Sequence, residues 1–148
     1  MQNSRLAKSL LFVLIQFTCL GMIAITGPLF PSTPALLVIE LLGIGLGVWA
    51  ILTMRIGNFN ITPDPLNNSR LVTSGPYHLI RHPMYQAILL TTLPLIVYSF
   101  SPIRLTIWLI LFIDLLLKMN YEERLLAIKL VGYDSYIERS YRLIPYIY

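Results

Sequence analysis

The sequence predicts an all-α integral membrane protein with about four transmembrane helices, a cytosolic loop and a C-terminal helical tail, forming a single domain over residues 1–148. Composition is the first reason: 56% of the 148 residues are hydrophobic and only 12% are charged, about half the ~25% charged content of a soluble globular chain. Mean hydropathy is +0.70. The second reason is four apolar runs, read as helices at about 9–27, 34–54, 84–100 and 103–130. At roughly 20 residues per span they consume about 80 residues. A separate nucleotide-binding domain of about 100 residues does not fit in the remainder.

The first run follows Arg5 and Lys8 and competes with a signal peptide. It is longer than the usual apolar stretch of such a peptide, and Gly27-Pro28-Leu29-Phe30-Pro31 offers no small-residue cleavage site. The second run opens on Pro34, which a helix tolerates in its first turn. It carries Gly43, Gly45 and Gly47, read as a surface for close helix packing rather than a nucleotide loop, since no strand precedes them and no lysine closes them. From Arg55 to about His82 the chain turns polar, and Pro63, Pro65, Gly75 and Pro76 interrupt any helix. A loop of this length in so small a chain points to function. The third run holds Pro94, expected to kink it. The fourth continues past the apolar stretch through Glu122, Glu123 and Lys129, and a tyrosine-rich basic tail follows from Tyr133.

Orientation follows from the basic residues. Arg5, Lys8, Arg55, Arg70, Arg81, Lys118, Arg124, Lys129, Arg139 and Arg142 fall on the side shared by both termini and the 55–83 loop, and Arg104 alone falls opposite. Under the positive-inside rule, termini and loop are cytosolic. The triplets Asn60-Ile61-Thr62 and Asn67-Asn68-Ser69 are then chance matches to a glycosylation signal. This topology also accounts for the net charge of +4; the basic residues neither cluster nor alternate with aromatics, so no nucleic-acid partner is expected. The single cysteine, Cys19, excludes a disulfide framework and a cysteine-based zinc site. No metal site is expected.

Two regions hold the chemistry-bearing residues. In the first, Gly75-Pro76-Tyr77 precedes Arg81-His82-Pro83-Met84-Tyr85, which places a guanidinium, an imidazole and a phenol at a helix start, where free N–H groups attract anions. In the second, Glu122 and Glu123 end the fourth apolar run. Adjacent helical residues point about 100° apart, so one carboxylate is expected to bind a ligand while the other orients it. Asp114, Lys118 and Glu122 form a stripe at four-residue spacing from the membrane interior to its surface. Asp114 either pairs with Lys118 or faces a substrate. Glu40 either makes an interhelical hydrogen bond or takes part in the site, and Gln16 is expected to bond to a neighbouring helix.

These residues resemble the isoprenylcysteine carboxyl methyltransferase and phospholipid methyltransferase family of integral membrane enzymes. The resemblance rests on Gly75-Pro76-Tyr77 with Arg81-His82-Pro83-Met84-Tyr85, and on Glu122-Glu123-Arg124-Leu125 followed by Gly132-Tyr133, Tyr136 and Arg142-Leu143-Ile144-Pro145. It implies S-adenosylmethionine as cofactor at the cytosolic membrane face, with His82 and Tyr85 in contact with it and Glu122 or Glu123 on its ribose hydroxyls or amino group. Arg81 is the best match for the cofactor carboxylate, and Tyr133 or Tyr136 for its adenine or sulfonium. The acceptor would be a lipophilic or lipid substrate, carrying either a prenylcysteine-type carboxylate or a phospholipid-type amine. An amine must lose a proton, which His82 or Glu123 could take. Arg81, His82 and Glu123 are thus the candidate catalytic residues.

Two alternatives stay open. Membrane sterol reductases also resemble the Arg-His-Pro element and the Pro145-Tyr146-Ile147-Tyr148 ending and would use NADPH. A non-enzymatic four-helix transporter or scaffold would instead use Glu40 or Asp114 as a proton or cation site.

Overall fold

Proline opens three of the four long helices in the computed structural model, which describes residues 2–54, Thr62 and 71–148, with side chains from Arg5 onward. Helix α1 spans Gln2–Ile25, α2 Pro34–Met54, α3 Pro83–Tyr98 and α4 Pro102–Lys129; a 3-10 turn covers Gly75–His78 and a short α5 covers Tyr133–Ile137. Proline suits these starts because a helix's first N–H has no internal partner to lose. The bounds of α2 are those expected. Helix α1 begins seven residues before the expected position 9, because Arg5 and Lys8 extend it as polar turns rather than preceding it. Pro94 lies inside α3, which continues on both sides of it. Arg55, Arg70, Pro63, Pro65 and the asparagines Asn60, Asn67 and Asn68 lie outside the described residues.

The four helices pack mainly as two pairs, α2 against α3 and α1 against α4, joined through α3 and α4. The glycines of α2 explain the first pair in part. A β-carbon on Gly43 would lie 2.8 Å from the Thr91 main-chain nitrogen, and one on Gly47 would lie 3.3 Å from the Ala87 β-carbon. Gly45 faces open space, so the packing surface is the i, i+4 pair Gly43 and Gly47. The core itself comes from α1, α3 and α4, with Cys19, Ile23, Leu95, Ile96, Ile107, Leu111 and Leu115 buried together.

Arg5–Ile25 and Pro34–Met54 are long and apolar enough to cross a membrane, and only 22% and 17% of their most apolar windows are buried. Soluble core helices would be mostly covered; here Leu10, Leu14, Phe17, Leu42, Val48 and Leu52 are exposed. Helix α3 is apolar but has 16 residues, and α4 carries Arg104, Asp114 and Lys118, so these two fall short of the same test. Among the described residues there is no strand, only an isolated bridge between Ile80 and Tyr141.

Arg104 is buried and ties three helices together. Its guanidinium donates to the Ile23 carbonyl at 3.1 Å, the Thr26 hydroxyl at 3.0 Å and the Leu95 carbonyl at 3.2 Å. These acceptors lie at the C-terminal ends of α1 and α3, where the helix dipoles favour a cation. A side chain on Gly27 would collide with this guanidinium.

Candidate functional site

The site is assembled where the segment before α3, the end of α4 and the C-terminal segment meet. Gly75 opens the 3-10 turn with φ +58°, the left-handed region that favours glycine. A β-carbon there would also lie 2.7 Å from Thr53 Oγ1 and 3.3 Å from Trp49 Nε1, so the turn sits directly on the end of α2. Beyond it, the Tyr141 amide donates to the Leu79 carbonyl at 2.9 Å and the Arg81 amide donates to the Tyr141 carbonyl at 2.7 Å. The His82 amide donates to the Arg142 carbonyl at 3.1 Å. This short ladder brings Arg81 and His82 against residues some 60 positions later in the chain.

Glu123 is the hub. Its Oε1 accepts from Arg81 Nε at 2.8 Å and lies 3.2 Å from His82 Nε2, while Oε2 accepts from Arg142 Nη2 at 2.6 Å. Burial pushes this carboxyl up, but the hydrogen bonds and charges of His82 and Arg81 outweigh it and bring it down to about 2. A carboxylate only accepts, so the His82 proton facing it belongs on Nε2. In the neutral ring Nδ1 is then the lone-pair nitrogen, 3.8 Å from Glu122 Oε2. A carboxyl held as low as that of Glu123 is a weak base. Of the two residues read as proton acceptors, His82 is the better suited.

Glu122 is arranged differently. The Tyr85 hydroxyl donates to its Oε2 at 2.7 Å, and Oε1 has no hydrogen-bond partner among the described residues. Its side chain is about a quarter exposed, at 26%. The two adjacent glutamates therefore divide as the helical offset requires: Glu123 is enclosed by donors, and Glu122 keeps an oxygen available. The Tyr85 ring stacks on His82, with centroids 5.4 Å apart and planes at 9°. Lys118 Nζ lies 5.3 Å from the centroid of the Tyr85 ring and donates to Gln16 Oε1 at 2.7 Å. Gln16 thus bonds across to another helix, as expected. Lys118 makes this bond to α1, whereas both Asp114 oxygens are buried without a hydrogen-bond partner among the described residues. Of the two readings of Asp114, the pairing with Lys118 is not made as a hydrogen bond.

The tyrosines also separate into two kinds. Tyr136 donates to the Tyr77 carbonyl at 2.5 Å and is a strut between α5 and the 3-10 turn; burial pushes it up to about 12 against the opposing charge of Arg81. Tyr133 and Tyr77 have buried hydroxyls with no hydrogen-bond partner among the described residues. Burial raises both, and the charge of Glu122 raises both further, with Glu123 acting more strongly on Tyr133. These two phenols therefore remain protonated donors within the field of the open glutamate.

Arg81 donates through Nε to Glu123 and through Nη1 to the Ile137 and Ser140 carbonyls. Its Nη2 carries no such bond among the described residues. The start of α3 offers an anion less than the sequence implied, because the His82 amide is used by Arg142, Pro83 has none, and the amides of Tyr85 and Gln86 bond to the His82 carbonyl. The sequence did not single out Ser140, and it marked Arg142 only as a basic residue of the tail and as part of the family motif. Among the described residues, no group of three or more metal-ligating side chains is gathered.

Fold and site together define a small helical protein with two apolar helices open to their surroundings and a buried polar cluster at one end of the bundle. A family model for phospholipid methyltransferase matches residues 35–130, more than half of the chain, and the chain belongs to that family. The match includes Arg81, His82, Tyr85, Glu122 and Glu123 and ends before Tyr133. No curated protein and no solved structure matches the chain. The family is one of methyltransferases, and with the two apolar helices it places this protein in a membrane.

Proposed function

We propose that this chain is an integral membrane enzyme that transfers a methyl group from S-adenosylmethionine to a lipophilic acceptor at the cytosolic membrane face. The observation that carries this reading is the open oxygen of Glu122, set beside the His82–Tyr85 stack and in electrostatic reach of the unpartnered hydroxyls of Tyr77 and Tyr133. Buried donors and acceptors left without partners are uncommon, and a cluster of them beside a partly exposed carboxylate suits a ligand with many polar groups.

S-adenosylmethionine supplies an electrophilic methyl on a sulfonium, together with a carboxylate, an ammonium, ribose hydroxyls and adenine. Glu122 Oε1 fits a ribose hydroxyl or the ammonium, Arg81 Nη2 fits the carboxylate, and the ring faces of Tyr133 and Tyr136 fit the flat or cationic parts. The protein's task is to align acceptor, methyl and sulfur and to exclude water. A carboxylate acceptor needs no base. For an amine acceptor, His82 Nδ1 takes the proton, and Glu122 at 3.8 Å stabilises the resulting imidazolium. In this reading α1 to α4 all span the bilayer, helped by mutual cover of the charged residues on α4, and both termini lie in the cytosol with ten basic residues against one. The partners are the bilayer and a lipid or lipophilic substrate.

The test is titration of the purified protein in detergent with S-adenosylmethionine, S-adenosylhomocysteine and NADPH, followed by calorimetry and thermal unfolding. Binding of the first two, and methyl transfer from labelled donor into a lipid extract, is the expected result. Binding of NADPH alone would move the assignment to a reductase, and silence from all three would remove the enzyme reading.

A further inference from the structure

Lys118 is a buried cation that the chemistry above does not use. It is 1% exposed, eleven residues before the end of α4 and on the same helical face as Asp114 and Glu122. An ammonium in this setting is costly unless its surroundings hold it. Its surroundings are specific: Gln16 of α1 accepts its proton at 2.7 Å, the Tyr85 ring lies 5.3 Å away, and Glu122 and Asp114 supply negative field from either side along the helix. The Tyr85 ring therefore has two close neighbours, the ammonium and the His82 imidazole stacked on it at 5.4 Å. Its one polar atom ends on Glu122 Oε2 at 2.7 Å.

We propose that Lys118 is a positioning residue for the cofactor site: anchored by Gln16, its ammonium fixes the Tyr85 ring so that the tyrosine hydroxyl occupies one oxygen of Glu122 and turns the other toward the ligand. This rests on the methyltransferase reading. The physical basis is that a cation near an aromatic ring is attracted to it, and that a carboxylate with one oxygen already bonded loses less freedom when a ligand takes the second. Without the ammonium, Tyr85 is free to leave Glu122, and Glu122, being partly exposed, turns to water. Gln16 matters at one further remove, since it gives α1 a role in a site formed by α3 and α4.

The experiment is a double-mutant cycle on S-adenosylmethionine affinity, measured by calorimetry on protein in detergent, with K118M, Y85F and the pair K118M/Y85F. Wild-type binding is measured first; its absence would overturn the methyltransferase reading and this inference with it. Given binding, K118M is expected to weaken affinity about tenfold, and K118M in the Y85F background to add less than twofold, because the lysine acts through the tyrosine hydroxyl. Losses that multiply, or an unchanged affinity in K118M, would overturn the proposal. A second readout needs no ligand: with tyrosine labelled at the hydroxyl-bearing ring carbon, the resonance that vanishes in Y85F marks Tyr85, and K118M is expected to move it toward the position of a water-bonded phenol. A fixed resonance would count against the role. Should K118M fail to fold, Q16L removes the anchor without touching the charge and is expected to shift the same resonance and weaken affinity about threefold; no change in either would again overturn it.

Discussion

Arg142 donates to Oε2 of Glu123 at 2.6 Å, which fastens the C-terminal segment to the end of α4 through the same carboxylate that holds Arg81 and His82. Two guanidinium groups thus share one buried acid. The arrangement makes Glu123 a structural centre, and its neighbour Glu122 the residue with capacity to spare.

Glu123→Gln keeps the shape and removes the charge, leaving two guanidinium groups facing a neutral amide that also presents a donor. Loss of one partner from a buried ion cluster costs about 3–5 kcal/mol. Unfolding of the variant in detergent is expected to show a loss of that size, with earlier proteolytic release of the C-terminal segment. A variant as stable as the parent would contradict the hub.

Acid should act through the same group. The Glu123 carboxyl is lowered from 4.5 to about 2 in the folded protein. A depressed carboxyl contributes stability that is complete above its unfolded value and is lost as pH falls toward the folded one. Thermal stability is therefore expected to decline between about pH 4.5 and pH 2, and Glu123→Gln should flatten that part of the profile. A parent profile that stays level through this range would count against the shift.

Glu122→Gln separates binding from folding. Its open oxygen makes no hydrogen bond among the described residues and the amide oxygen can still accept from Tyr85, so stability should fall less than in Glu123→Gln, whereas a ligand's hydrogen bond to the charged carboxylate contributes roughly 1.5–3 kcal/mol. Affinity for S-adenosylmethionine is expected to fall about 10- to 100-fold by calorimetry. Equal losses of stability in the Glu122 and Glu123 variants would show that the division between them is wrong.

Glycine substitutions probe the packing of α2. Gly43→Ala would place a β-carbon 2.8 Å from the Thr91 main chain, and Gly75→Ala would strain a residue at φ +58° while pressing on Thr53. Each is expected to destabilise by about 1–3 kcal/mol. Gly45→Ala meets nothing within 4 Å and should be neutral or slightly stabilising through helix propensity. Thermal unfolding of the three variants side by side is the measurement, and similar losses at all three would refute the close approach of α2 and α3.

The helices were legible because apolarity and proline mark them locally: α2 coincides with its expected bounds, and α3 and α4 lie within about two residues of theirs. The start of α1 was missed because charged residues there looked like a flank, although a helix tolerates exposed Arg5 and Lys8 well. Within the site, the division of labour between Glu122 and Glu123 followed from helical geometry, but which glutamate was enclosed did not. That depends on Arg142 and on the ladder from Leu79 to Arg142, whose main-chain hydrogen bonds leave no side-chain pattern. Lys118 looked like a partner for Asp114 at i, i+4, and the competing acceptor on α1 won because Gln16 faces it across the bundle.

Arg104 sets a boundary on how the bundle can part. Hydrogen bonds to a charged group contribute about 1.5–3 kcal/mol each, and this guanidinium bridges the far ends of α1 and α3 from the first turn of α4. Separating α1, α3 and α4 at that end of the bundle would break all of the Arg104 bonds, so on the proposed reading a lipophilic substrate would enter from the opposite end, where the polar cluster lies.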